Sequence, residues 1–425
     1  MKTRILTFAL LLAGFSLNAQ IVEWVTFNTA NSLIPGNNIT SIAIDKSSHP
    51  WVGTTNGLAH FDGVKWKSYT KTNSCLTDNH IKDVITDSKG TIWAATNNGG
   101  LFSLNKGEPI EKGTHLFTAS NSGLPINNLN CLAVDQLNDL WIGTWGAGLT
   151  KFDGLMWTTY NAANSGLPQN GITDISIDGN NSLWIGTFSC GLVLFNGTSW
   201  QVFNTSNSGI ASNKIKSVSI DNNGVKWIGT DVGMVKFDGY NWSLYNMANT
   251  GFNFSIVNDI YVDCKQRKWL ATNIGLGMNK NSVWLFKKPS NSGLPNILVS
   301  TACCDIDGNL WIGTIGGGIA VYNENGVTIS SGFKSLNQRL NVRELKTYPN
   351  PVYESIAVSF KLRNKSNVKL NLYDSKSQLV KTILNKSCLP GEQKININTT
   401  ALAKGIYYLE LVADNEKEVV KLLKQ

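Results

Sequence analysis

The sequence predicts an all-β protein, a seven-bladed β-propeller followed by a small Ig-like β-sandwich. Three observations predict it. A Trp-x-x-Thr tetrapeptide recurs at Trp51, Trp93, Trp141, Trp184, Trp227, Trp269 and Trp311, with steps of 42 to 48 residues, and a period in that range signals one four-stranded blade per unit. The 425 residues include 39 Gly and 14 Trp but only 16% charged side chains, a composition of short strands and tight turns rather than long helices. After about residue 331 the period stops, and alternating runs such as SIAVSF, VKLNLYD and IYYLELV take over, the pattern of half-buried strands in a second, smaller domain.

Within a unit the elements follow in order. The first strand, as in SIAID, LAVD or ISID, ends on an aspartate six residues before each tryptophan: Asp45, Asp87, Asp135, Asp178, Asp221, Asp263 and Asp305. A carboxylate there can accept backbone N–H groups and cap the polar turn that follows. The tetrapeptide forms the second strand. After a Gly-bearing turn comes a third strand (GLAHF, GLTKF, GLVLF, GMVKF), closed by Asp-Gly or Asn-Gly at 62–63, 153–154, 196–197 and 238–239, the strongest short hairpin signal. A fourth strand carries Trp66, Trp157, Trp200, Trp242 and Trp284 and empties into NSGLP loops at 121–125, 164–168 and 291–295. Residues 23–27 (EWVTF) read as a fourth strand with no blade of their own, whereas the seventh unit has only the weak Val327–Ser330. Pairing the first strand with the last blade would hide an otherwise open edge. Thirteen of the fourteen tryptophans occupy the two repeat positions and are expected in the blade core.

The expected domains are a signal peptide (1–19), the propeller (20–330), a polar linker (331–345) and the C-terminal sandwich (346–425). Lys2 and Arg4 precede an apolar run from Ile5 to Leu17, and Leu17-Asn18-Ala19 suits signal cleavage,. No other apolar stretch approaches 18 residues, so no integral membrane span is expected. The net charge of +8 divides into +2 for residues 1–20, 0 for 21–340 and +6 for 341–425. A neutral propeller carries no footprint for nucleic acid. The seven cysteines are odd in number and follow no spacing, which points to small buried hydrophobes rather than disulfides or metal ligands.

The phrases LWIGTWGAGLTKFDG (140–154) and LWIGTIGGGIAVYN (310–323) resemble the two-component-regulator propeller repeat. That family often forms the extracytoplasmic sensor of hybrid kinases, with oligosaccharides as ligands. No membrane span, kinase or DNA-binding segment follows here, so the resemblance implies only a ligand-binding ring. YPNP (348–351), LYDSKSQLVKT (372–382), LAKGIYYLEL (402–411) and VVKLLKQ (419–425) resemble the type A sorting domain of the type IX secretion system. This second resemblance implies the type IX secretion machinery as a partner of residues 346–425, and a protein released from, or attached to, the outer surface of a Gram-negative bacterium.

Chemistry is sparse in the sequence. His49, His60, His80 and His115 fall at unrelated repeat positions without a metal-ligand spacing, so they are expected as turn or surface histidines and no metal or other cofactor is expected. No nucleophile elbow, Walker loop or dinucleotide fingerprint occurs, and no catalytic residue is assigned. The residue after each Trp-x-x-Thr opens a turn near the central opening, and around the ring it is Thr55, Asn97, Trp145, Phe188, Asp231, Asn273 and Ile315. Trp145 is the one tryptophan outside the packing positions. With Phe188 on the next blade, and Asn97, Asp231 and Asn273 nearby on the ring, it forms the expected ligand site, since aromatic faces bury C–H surface while polar neighbours satisfy hydroxyls. The expected function is an extracellular binding module for glycan or peptide. A polysaccharide lyase or hydrolase, and a non-catalytic adhesin or surface-layer component, are the alternatives.

Overall fold

The computed structural model describes residues 22–105, 114–252, 256–280, 283–327, 329, 342–362, 365–374, 378–413 and 416–425. The expected signal peptide lies outside them. The chain divides after Gly332 into two units.

In the first unit, β1 (Trp24–Phe27) precedes seven blades. Blade 1 is β2–β5 (Ile39–Ile44, Pro50–Thr54, Gly57–Phe61, Trp66–Tyr69), and blade 2 is β6–β9 (Ile81–Thr86, Ile92–Thr96, Leu101–Leu104, Thr114–Phe117). Blade 3 is β10–β13 (Leu129–Val134, Leu140–Thr144, Leu149–Phe152, Trp157–Tyr160), and blade 4 is β14–β17 (Ile172–Ile177, Leu183–Thr187, Leu192–Phe195, Trp200–Phe203). Blade 5 is β18–β21 (Ile215–Ile220, Lys226–Thr230, Gly233–Phe237, Trp242–Tyr245), and blade 6 is β22–β25 (Val257–Val262, Lys268–Thr272, Gly275–Lys280, Val283–Lys287). Blade 7 is β26–β28 (Val299–Cys304, Leu310–Thr314, Gly318–Tyr322), and its fourth strand is β1, paired antiparallel with β28 from Trp24 opposite Tyr322 to Phe27 opposite Ile319. Val327–Ser330, read from sequence as a weak fourth strand, falls partly outside the described residues; Val327 donates its N–H to the Val22 carbonyl, and β1 holds the fourth-strand place. The innermost strands pack one on the next around the unit, and β26 packs back on β2. The one helix among the described residues is the single turn α1 (Met247–Thr250).

Repetition in the sequence becomes repetition of bonds. One carboxylate oxygen of Asp135 accepts the N–H groups of Leu137 and Asp139, and the other accepts the indole N–H of Trp141 at 3.0 Å. Six of the seven blades make this aspartate–indole bond, at 2.9–3.2 Å. The tetrapeptide threonine is fully buried in every blade. Its Oγ1 donates to the carbonyl of the glycine heading the third strand at 2.6–2.8 Å, which pins the turn between second and third strands. Glycine is required there: at Gly148 (φ +91°) an added Cβ would lie 2.1 Å from the Tyr160 carbonyl oxygen,. The glycine of NSGLP has a different reason. At Gly123 a Cβ would meet the Cβ of Trp157, on the next blade, at 2.3 Å.

Blade faces meet through aromatic wedges. Trp184 lies between Phe203 of its own blade and Phe237 of the next, and Phe237 stacks on Trp242 with centroids 4.1 Å apart. The tetrapeptide tryptophans other than Trp93 are buried, whereas Trp93 and the fourth-strand tryptophans other than Trp66 are half-buried.

The second unit contains β29 (Val342–Tyr348), β30 (Ser355–Leu362), β31 (Ser366–Asp374), β32 (Leu379–Cys388), β33 (Gly391–Asn398), β34 (Gly405–Ala413) and β35 (Glu416–Lys424). They form two antiparallel sheets, β29-β30-β33 and β32-β31-β34-β35. Alternate residues such as Val358, Phe360, Leu370, Leu409 and Leu411 make its core. The first sheet starts at Val342, inside the stretch read from sequence as linker, and 331–341 lie outside the described residues. All seven cysteines are free thiols, with Cys131 and Cys388 buried and Cys75 and Cys264 exposed.

Candidate functional site

Strand alternation puts two kinds of loop on opposite faces of the ring. Each first strand runs away from an NSGLP-type loop toward its aspartate turn, and the second strand returns. The turns carrying Trp145 and Phe188 therefore share a face with the NSGLP loops, and the aspartate turns lie on the other face.

On the first face Trp145 and Phe188 meet edge to face, with ring centroids 5.3 Å apart and planes at 64°. They remain 50% and 51% exposed, although exposed aromatics of this size usually pack away. They flank a notch of about 250 Å³ completed by Gln169, Gly171, Ile172 and Thr173. The Trp145 N–H donates to the Asn128 carbonyl and the Phe188 N–H to the Gly171 carbonyl, so both rings stand on pinned turns. Gln169 is fixed as well: its Nε2 donates to the Gly171 carbonyl at 3.0 Å and its Oε1 accepts from Ser189 Oγ at 2.7 Å. Thr173 lines both this notch and the central channel, with its Oγ1 buried and without a hydrogen-bond partner.

The other expected site residues do not join this notch. Asp231 accepts Ser212 Oγ at 2.6 Å and pairs with Lys214 Nζ at 3.4 Å, and those donors hold its carboxyl below the ordinary carboxylate range despite partial burial. Asn273 Oδ1 accepts the Ile256 N–H. Asn97 donates its backbone N–H to the His80 carbonyl. Gln169 and Thr173 are the polar groups that sequence reasoning missed. The signal for both was their position just before and just after Ile172, the start of the inner strand beside Trp145.

The central channel holds a second constellation. A bulge near the start of every inner strand puts Thr40, Lys82, Asn130, Thr173, Lys216, Asn258 and Ser300 out of register, and these residues line the channel. The following residue is aspartate in three blades. Asp83 Oδ2 accepts the Leu132 N–H, Asp174 Oδ2 the Val218 N–H and Asp259 Oδ2 the Ala302 N–H, so each carboxylate staples its blade to the next. Burial pushes Asp83 up to about 6 and Asp174 up to about 7, and raises Asp259, with mutual repulsion among the three adding to the effect on Asp83 and Asp174,.

In the unfolded chain these carboxyls ionise near 3.8. Between that value and about 7 the folded state binds more protons than the unfolded one, so their contribution is full below the unfolded value and is lost as the pH rises through the folded ones. The melting temperature is expected to fall from pH 5 to pH 7.5. Replacing Asp174 with Asn should flatten that fall in pH-dependent thermal melts; an unchanged slope would show that Asp174 ionises normally.

Comparisons with known proteins agree with this architecture. Residues 346–425 match the family described as Secretion system C-terminal sorting domain, and residues 123–146, 166–189 and 293–316 match Two component regulator propeller. No curated protein sequence matches the chain. Among solved structures, PorZ, an essential bacterial surface component of the type-IX secretion system of Porphyromonas gingivalis, is 18% identical, with a TM-score of 0.54 over 94% of this chain and 60% of that one. The extracellular domain of BT3049 from B. thetaiotaomicron, assigned to a hybrid two component system, is also 18% identical, with a TM-score of 0.61 over 95% of this chain and 57% of that one. The chain thus spans about three fifths of these two relatives. Virginiamycin B lyase from Staphylococcus aureus, solved in an inactive form with quinupristin, is 13% identical, with a TM-score of 0.57 over 70% of this chain and 98% of that one. At these identities the likeness is one of fold.

No helix among the described residues is long and apolar enough to cross a membrane. The sorting domain implies interaction with the secretion machinery and indicates a protein that is secreted or at the cell surface. The chain carries two component regulator propeller repeats followed by a secretion system C-terminal sorting domain.

Proposed function

We propose that the propeller is an extracellular binding module whose ring face recognises a glycan or a peptide at the Trp145–Phe188 notch. One observation carries this reading: two aromatic rings held half-exposed on pinned turns, flanking a notch of about 250 Å³. The rings offer flat apolar surface to the C–H face of a sugar or to a peptide side chain. Gln169, held at the notch by the Gly171 carbonyl and Ser189 Oγ, supplies its polar edge,. The two together make a recognition surface without an acid and base pair set across it, so retention rather than turnover is the expected outcome.

The test is a panel of polysaccharides and peptides incubated with the purified chain, assayed both for saturable binding and for products. Binding without product supports the module. Product formation would establish a lyase or hydrolase instead, and attachment to cells or matrix with no soluble ligand would establish an adhesin.

A further inference from the structure

Blade 1 is the one blade that breaks the aspartate–indole bond. Trp51 Nε1 is buried and has no partner, although an orphaned buried donor costs about 1–3 kcal/mol. The oxygen that would accept it, Asp45 Oδ2, lies instead 3.8 Å from His60 Nε2, and His60 Nε2 is itself buried without a hydrogen bond. His49 completes the group: one ligand atom from each of Asp45, His49 and His60 lies within 4.8 Å of the others.

The fold prepares each of these groups. Asp45 Oδ1 accepts the N–H groups of Ser47 at 2.7 Å and His49 at 2.9 Å, which locks the carboxylate and presents Oδ2. His60 stands opposite Trp51 in the β3–β4 register and stacks on its indole at 4.1 Å and 15°. The His49 and His60 rings meet at 62° with centroids 6.0 Å apart. Nothing in the propeller demands histidine at these two positions. The equivalent pair in blade 3 is Asp139 and Lys151, joined as an ion pair at 2.6 Å, and neither position is histidine in any other blade.

We infer that Asp45, His49 and His60 form a binding site for a divalent transition cation of the imidazole-preferring class, with Zn²⁺ as the reference ion. Two neutral imidazoles and a carboxylate suit Zn²⁺ and Cu²⁺ rather than Ca²⁺ or Mg²⁺, which favour oxygen donors. Bonds of about 2.0–2.2 Å to a tetrahedral Zn²⁺ put ligand atoms about 3.3–3.5 Å apart, so a small contraction of the present cluster closes the site. Three protein ligands leave a coordination position for water or an external donor. The site lies on the face opposite the Trp145–Phe188 notch, so the two can be tested independently.

The experiment uses the untagged full-length secreted chain. Zn²⁺ titrated by calorimetry should bind with one equivalent in the micromolar range and raise the melting temperature, and Cu²⁺ should give an electron paramagnetic resonance spectrum with coupling to two imidazole nitrogens. His49→Ala alone, in a turn where loss of the ring leaves β3 and β4 in place, should weaken Zn²⁺ binding about tenfold or more, because the site is then left with two ligands. His49→Ala with His60→Ala should abolish both signals, while His80→Ala should change neither. Absence of saturable Zn²⁺ binding in the parent chain would overturn the assignment. Persistence of the single equivalent in the double variant would overturn it equally.

Discussion

Deleting residues 21–28 is expected to destroy the monomeric ring, with loss of soluble monomer or a fall in melting temperature of at least about 10 °C. β1 is the fourth strand of blade 7, and without it the whole edge of β28 faces solvent, an invitation to intermolecular pairing. The strand also brings aromatic surface. Phe27 is buried against Phe61, Trp66 and Trp311, with centroids at 5.3–6.2 Å, and Trp24 packs on Tyr322 at 4.6 Å. Loss of a ring such as Phe27 alone costs about 3–5 kcal/mol, and each kcal/mol corresponds to about 2–4 °C in a large domain. Size-exclusion chromatography and a thermal melt of the truncated chain provide the check. A stable monomer with unchanged melting temperature would mean that the seventh blade closes without its N-terminal strand.

Replacing Trp184 with Ala is expected to destabilise the propeller by about 3–5 kcal/mol, the range for removing a buried aromatic side chain. Trp184 is 4% exposed, wedged between Phe203 and Phe237, under the Lys226 ammonium at 4.5 Å, and bonded to Asp178 at 3.0 Å. Chemical denaturation of the purified variant measures the loss, and a value under about 1 kcal/mol would remove Trp184 from the blade core. Phenylalanine separates packing from hydrogen bonding. Trp184→Phe orphans the Asp178 oxygen, whereas Trp51→Phe removes an N–H that has no partner, so the first should cost about 1 kcal/mol more than the second. Equal losses would show that the aspartate–indole bond does not stabilise the blades.

Much of this architecture was legible because propeller packing is local and periodic. Seven Trp-x-x-Thr copies with an aspartate six residues upstream specified the blades, and EWVTF without a blade of its own suggested a closure that the pairing of β1 with β28 bears out. The Trp145–Phe188 contact was legible for the same reason, since equivalent turns on successive blades are neighbours. The rest of the expected site does not line that notch, for a reason on a shorter scale. Asp231 is drawn to Ser212 and Lys214 within its own blade, and a residue's position on the ring does not say which way its side chain turns. The Asp45, His49 and His60 cluster was illegible because it depends on strand register. His60 reaches Asp45 only because it faces Trp51 across β3 and β4, a pairing invisible in a spacing of 4 and 11 residues.

Probing arrays of oligosaccharides and peptides side by side with the parent chain and with Trp145→Ala/Phe188→Ala tests the central claim most directly. Both side chains are half-exposed, so the double variant should keep the parent's melting temperature. The parent is expected to label at least one ligand class saturably, and the double variant to lose that signal by about tenfold or more, as for the aromatic anchors of other recognition surfaces. Undiminished labelling by a folded double variant would contradict the account.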